Sequence, residues 1–153
     1  DVYIKQNLKG HTAWLSYTWS KTEELFDHFP DNQYRFAPQD QRHEVKLATL
    51  LNFDPFYFSA NYVYGSGFPV PDYNQQPTEI TRTPYHRFDV ALTYKFNFST
   101  FYGEAGISVL NIFDRKNLLY NNLERVPANQ TTSISIYEQS VPFTPTIYIK
   151  LGF

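Results

Sequence analysis

Cysteine is absent from the 153 residues, which excludes a disulfide framework and a thiolate metal site. There is no excess of one charge either. The 13 Lys and Arg against 15 Asp and Glu give a net charge of -2, so the electrostatic footprint of a nucleic-acid binder is missing. No apolar run approaches the roughly 18 residues of a spanning helix, and no short apolar signal segment opens the chain. The start, Asp1-Val2 without methionine, reads as processed or excised. His11, His28, His43 and His86 are scattered without a paired ligand spacing, so no metal centre is expected. Glu23 and Glu24 are adjacent, which sends their carboxylates to opposite sides of a strand, a poor acid and base arrangement. Gly65-Ser66-Gly67 lacks the following helix of a phosphate cradle and reads as a strand end. Neither a catalytic residue nor a cofactor is expected, and the chain does not read as an enzyme.

Aromatic residues are plentiful: 13 Tyr and 14 Phe help bring them to 19% of the chain. Yet the mean hydropathy is -0.47. A core of this size cannot absorb so many rings, whereas a sheet with one face in lipid and one in water needs apolar and polar side chains interleaved in equal measure.

The interleaving is visible along the chain. Residues 147–153 put Ile147, Ile149, Leu151 and Phe153 on one side of a strand and Tyr148, Lys150 and Gly152 on the other. The last residue is as apolar as the middle of the strand, which asks for an apolar or interfacial setting to the very end. Residues 1–5 form a partial strand and 6–10 a tight turn. Residues 12–21, 43–53, 56–65, 87–98 and 101–113 alternate as strands. The clearest is 87–98, where Phe88, Val90, Leu92, Tyr94, Phe96 and Phe98 alternate without a break against Arg87, Asp89, Ala91, Thr93, Lys95 and Asn97. Between them, 23–42, 67–84 and 114–142 are long polar loops, the last holding a short strand at 131–137.

Short turns and long loops therefore alternate strictly, as in outer-membrane barrels, where one rim carries tight turns and the other long loops. Strands of about 10 residues match those that cross a bilayer at a tilt. Phe53, Phe56, Phe96, Phe98, Phe101 and Phe153 gather at the short-turn ends as an interfacial girdle does. The fold class expected is all-β, a transmembrane antiparallel β-barrel segment spanning 1–153. A soluble meander or sandwich has shorter strands and turns of any length.

Several segments together resemble one family. They are 16–21 (Ser-Tyr-Thr-Trp-Ser-Lys), 37–43 (Ala-Pro-Gln-Asp-Gln-Arg-His), 64–69 (Tyr-Gly-Ser-Gly-Phe-Pro), 85–90 (Tyr-His-Arg-Phe-Asp-Val) and 109–115 (Val-Leu-Asn-Ile-Phe-Asp-Arg). With the Phe-terminated last strand, their order resembles the closing third of a TonB-dependent outer-membrane receptor. The resemblance implies about seven C-terminal strands of a larger, 22-stranded barrel around an N-terminal plug that is not in this chain. It further implies uptake of a large or scarce ligand, powered by a periplasmic TonB-type coupling protein acting through the plug. The implied partners are the remainder of the barrel, the plug and membrane lipid, with a surface lipoprotein left open and no nucleic acid. The implied location is the cell outer membrane. Two other classes stay open: a small eight-stranded outer-membrane barrel with a structural or adhesive role, and a soluble β-sheet ligand-binding domain.

Three residue sets follow. Glu44, Lys46, Arg87, Asp89, Lys95, Glu104 and Lys150 are expected on the lumen face, toward the plug. Ile147, Ile149, Leu151 and Phe153 resemble the signal read by the insertion machinery. Tyr34, Tyr73, Asn74, Tyr120 and Asn121 are candidates for ligand contact in extracellular loops. A barrel closed by these residues alone is not expected, because seven strands leave two edges to be paired by other polypeptide.

Overall fold

The computed structural model describes residues 1–26, 33–71, 80–127 and 133–153. Its main body is a seven-stranded antiparallel meander. In sheet order the strands are β1 (Val2–Leu8), β2 (His11–Trp19), β5 (His43–Phe53), β6 (Phe56–Gly65), β9 (Tyr85–Asn97), β10 (Tyr102–Leu110) and β13 (Thr144–Gly152). Each long connection carries a two-stranded hairpin of its own. These are β3 (Glu23–Glu24) with β4 (Arg35–Phe36), β7 (Pro69–Pro71) with β8 (Ile80–Arg82), and β11 (Leu118–Pro127) with β12 (Ser133–Gln139).

Three expectations need correction. The first strand is not partial and its turn is not 6–10. Lys9 and Gly10 both have positive φ, 47° and 84°, the backbone of a two-residue hairpin turn, so pairing continues to Leu8 opposite His11. Secondly, β10 stops at Leu110 rather than at 113, because Asn111 turns to φ 50° and its N–H goes to the Asp89 side chain instead of a strand neighbour. Thirdly, the loop at 114–142, expected to hold one short strand at 131–137, is mostly a hairpin: 133–137 fall in β12, 131–132 lie outside the described residues, and the partner strand β11 is unexpected. Tyr120 and Asn121, expected in a loop, lie in β11, since a polar strand without period-two alternation cannot be told from a loop by pattern.

The register fixes which side chains share a face. One row runs through all seven strands: Asn7, Thr12, Leu50, Ser59, Ala91, Ser108 and Thr146. The rows beside it carry Leu51, Phe58, Leu92, Ile107 and Ile147 on the opposite face. Among the described residues nothing covers that face. Ile147 and Ile149 are 80% and 69% exposed, and Leu47, Leu92 and Ile107 are exposed as well. Among the described residues the only buried hydrophobic side chain is Ala37, while the buried polar ones are Asp40, Asp89, Asn111 and Asn117. The usual partition of a soluble domain is inverted.

The tight turns do not lie level. Beyond the shared row, β1 and β2 make one further pair, β5 and β6 three, and β9 and β10 six. A slip of about 1.25 residues per strand, at about 3.4 Å per residue and about 4.8 Å between strands, means that the strands lean by about 40°. β1 and β13 each have one strand neighbour and do not pair with each other, so the sheet is open.

Candidate functional site

The seven charged residues expected on the lumen side share one face of the sheet by register. Glu44, Lys46, Arg87 and Asp89 fall on it toward the long connections, and Lys95, Glu104 and Lys150 form one cross-strand row of alternating charge toward the short turns. Neighbouring charges within one sign-alternating row attract across a strand pair. Lys46 pairs with Glu44, and the Lys95 ammonium lies 4.4 Å from the centre of the Tyr57 ring. Gly106 matters here for the space it leaves. A Cβ there would come within 2.3 Å of the Tyr148 ring, which lies across that strand so that its hydroxyl reaches Thr93 Oγ1 at 2.9 Å. Polar groups thus satisfy one another along the surface of the sheet.

The apolar face carries rings at both ends. At the long-connection end, Tyr17 Oη meets His43 Nδ1 at 2.9 Å and Tyr62 Oη meets His86 Nδ1 at 3.0 Å, with Tyr64 and Phe88 packed beside them. At the short-turn end, His11 packs on Phe53, Phe56 on Tyr94, Tyr94 on Phe96, and Phe98 on Phe101. Between the ends the face is mostly aliphatic, as with Val45, Leu47, Val90, Leu92 and Ile107. Along β9 the ends are marked by His86 and Phe96. That span, at about 3.3 Å per residue and a lean of about 40°, stands about 25 Å tall.

The rim formed by the long connections is held by two buried polar knots. In the first, Asp40 Oδ1 accepts the Thr22 N–H at 2.7 Å, while Oδ2 accepts Arg82 Nη2 at 2.6 Å and Arg42 Nε at 3.0 Å. Arg82 Nη1 also donates to the carbonyls of Asp40 and Gly67. Both guanidiniums lie against the Phe36 ring, 4.8 Å and 5.6 Å from its centre. Burial pushes the Asp40 carboxyl up, but the Thr22 N–H and the two guanidiniums outweigh it and hold the group below the usual carboxylate range. The knot ties the β2–β5 connection to the β6–β9 connection.

The second knot ties the β10–β13 connection to β9. Asn117 Nδ2 donates to the His86 carbonyl at 2.6 Å and its Oδ1 accepts the His86 N–H at 2.9 Å, standing in for a strand neighbour. Asn111 Nδ2 donates to the carbonyls of Arg115 and Val141, and its Oδ1 accepts the Arg115 N–H. Asp89, expected to face a plug, is spent here: it is 8% exposed, accepts the Asn111 N–H through Oδ1 and takes Arg87 Nε at 3.0 Å through Oδ2.

The remaining candidates are dispersed. Tyr34 is exposed beside β4; Tyr73 and Asn74 lie outside the described residues. Ile147, Ile149 and Leu151 alternate along the apolar side of edge strand β13, and Phe153 follows its end. Among the described residues no three His, Asp or Glu side chains gather as metal ligands do. Sequence reasoning missed Asp40, Arg42, Arg82, Asn111 and Asn117 because loop polarity looks like solvation. The one signal was their place: Asp40, Arg42 and Asn111 fall within the segments that carry the family resemblance.

No family model, curated protein or solved structure matches this chain.

Proposed function

We propose that the chain is part of the barrel wall of an outer-membrane receptor of the TonB-dependent kind, importing a large or scarce ligand. The observation that carries the membrane reading is the uncovered apolar face, about 25 Å tall between two rows of rings, which matches the lipid-facing band of such barrels. In water a continuous apolar face of this extent is an aggregation surface; in a bilayer it is the stable side. The opposite face, with charges of both signs, then lines the lumen, where Lys95, Glu104 and Lys150 meet a plug. The connections carrying the two knots form the outer rim. The receptor part of the reading rests on the sequence resemblance, and the plug and its coupling protein follow from it.

The absence of native cysteine makes the test direct. Single cysteines at Leu47, Val90 and Ile107, and at Lys46, Thr93 and Ser108, are labelled with a fluorophore after reconstitution into bilayers. Quenchers on lipid chains should dim the first set and aqueous iodide the second. The reverse pattern, or iodide quenching of both sets, refutes the membrane wall. In cells making the complete protein, ligand uptake should stop when the coupling protein is deleted. Undiminished uptake would leave a passive barrel instead.

A further inference from the structure

The segment after β10 holds apolar side chains out at the rim by a rigid device. Asn111 and Asp114 both take positive φ, 50° and 47°, which side chains other than glycine adopt at a cost. Asn111 is buried with its side chain fully engaged, as described above, and the Asp114 carboxylate accepts the Phe143 N–H at 3.2 Å. What this frame presents is Phe113, 77% exposed, with Ile112 and Phe143 exposed beside it. The Phe113 ring stacks on Phe88 at 5.8 Å, so it stands on the apolar face at the long-connection end. Past Asp114, whose carboxylate is taken up by the Phe143 N–H, come two exposed cations, Arg115 and Lys116. Arg115 donates to the Pro84 carbonyl at 3.2 Å, two positions before His86 in the chain.

We infer that this knob is a binding site for a phosphate-bearing lipid headgroup of the outer leaflet. The inference rests on the membrane reading proposed above. Phe113 and Ile112 occupy the interfacial level next to the Tyr62 and His86 ring row, and Arg115 and Lys116 stand just beyond it, where phosphates lie. The charge is complementary, and a guanidinium offers paired N–H donors to phosphate oxygens. A water-exposed loop gains nothing by fixing an Ile-Phe pair outward with two positive-φ residues, one of them a buried asparagine; an interfacial anchor does.

The complete protein is placed in phosphatidylcholine nanodiscs doped with a minor fraction of phosphatidic acid, and lipids retained on the protein are counted by native mass spectrometry. Wild type should enrich phosphatidic acid. R115Q/K116Q should lower that enrichment by about 25-fold, the product of about five-fold per basic residue near an anionic surface. R115K/K116R keeps both charges and should retain most of it, which separates lost charge from a disturbed turn. Lys9→Gln, at the tight-turn rim, serves as the control and should change nothing. Equal enrichment in wild type and R115Q/K116Q overturns the inference, as does equal loss in R115K/K116R. Competition by millimolar inorganic phosphate alone would mean a free-anion site and also overturn it. Failure of the quenching pattern above sinks the membrane reading instead; the two failures are read from different experiments.

Discussion

Replacing Asp40 by Asn keeps the shape of the first rim knot and removes its charge. The Asn carbonyl can still take the Thr22 N–H, but its NH2 group then faces Arg82 and Arg42, donors against donors. Two charge-assisted hydrogen bonds, at 2.6 Å and 3.0 Å, are lost, each of the kind worth about 1.5 to 3 kcal/mol. The two arginine side chains are 21% and 22% exposed, so water recovers part of the loss, and the net cost is about 3 kcal/mol rather than the sum. That cost falls on the rim, because the knot joins two connections and no central strand. Hydrogen exchange reads it. The Ala37 N–H, bonded to the Thr22 carbonyl at 3.0 Å, should lose about 100-fold in protection, the equivalent of about 3 kcal/mol, while Leu92 in the central strand keeps its own. Acid should do the same to the wild type. A carboxyl held below its ordinary value of 3.8 stabilises the fold at every pH above that value and loses the contribution as pH falls through the lowered one. The knot should therefore stay closed at pH 5 to 7, and only stronger acid should open it. Unchanged exchange at Ala37 in Asp40→Asn, or equal losses at Ala37 and Leu92, would refute the reasoning.

Asp89→Ala leaves the buried Asn111 N–H without a partner and should lower stability by about 2 to 3 kcal/mol; in a double-mutant cycle with Asn111→Ala, losses that simply add would show the two are not one unit. Deleting Phe153 should reduce insertion into the outer membrane more than Phe98→Ala does, and equal membrane yields for the two would remove the insertion signal. In the membrane, cysteines placed on β1 and β13 should not form a disulfide with each other if, as the proposed reading requires, other polypeptide pairs both edges; efficient Ile4–Ile149 cross-linking would instead show a small closed barrel.

Much of the sheet was legible because period two is strict wherever one face is apolar and the other polar. The strands at 43–53 and 56–65 have the bounds the alternation gives them, and the seven charged residues assigned to one face share it by register. What stayed hidden was set by other physics. Leu8 belongs to β1 only because Lys9 and Gly10 adopt positive φ together, a preference that Lys does not advertise. In the long connections only the strand at 133–137 shows alternation, Ile134 and Ile136 against Ser133 and Ser135; β11 and the two- and three-residue strands β3, β4, β7 and β8 carry none to read. The knots join residues far apart in sequence, such as Asp40 with Arg82 and His86 with Asn117. A single chain gives no cue that a loop aspartate will find an arginine 42 positions on.

On the proposed membrane reading, the direction of the edges bears on which kind of barrel the sheet would complete. In a meander of seven strands the first and last run the same way, so β1 and β13 cannot be antiparallel neighbours, and an all-antiparallel closure needs an odd number of further strands. One more strand would make the eight-stranded alternative, whose interior is just wide enough for side chains to fill from opposite walls. The polar face argues against so narrow a space. Lys95 lies on Tyr57, Tyr148 reaches along the sheet to Thr93, Arg87 turns to Asp89 and Lys46 to Glu44. Tyr148, Arg87 and Lys46 thus find their partners within their own surface, without a facing wall. A wide lumen suits them, with Lys95, Glu104 and Lys150 presenting a row of alternating charge to a separate body inside. That arrangement is the one the receptor reading requires, and it places the demand for specificity at the rim, where the buried polar groups are.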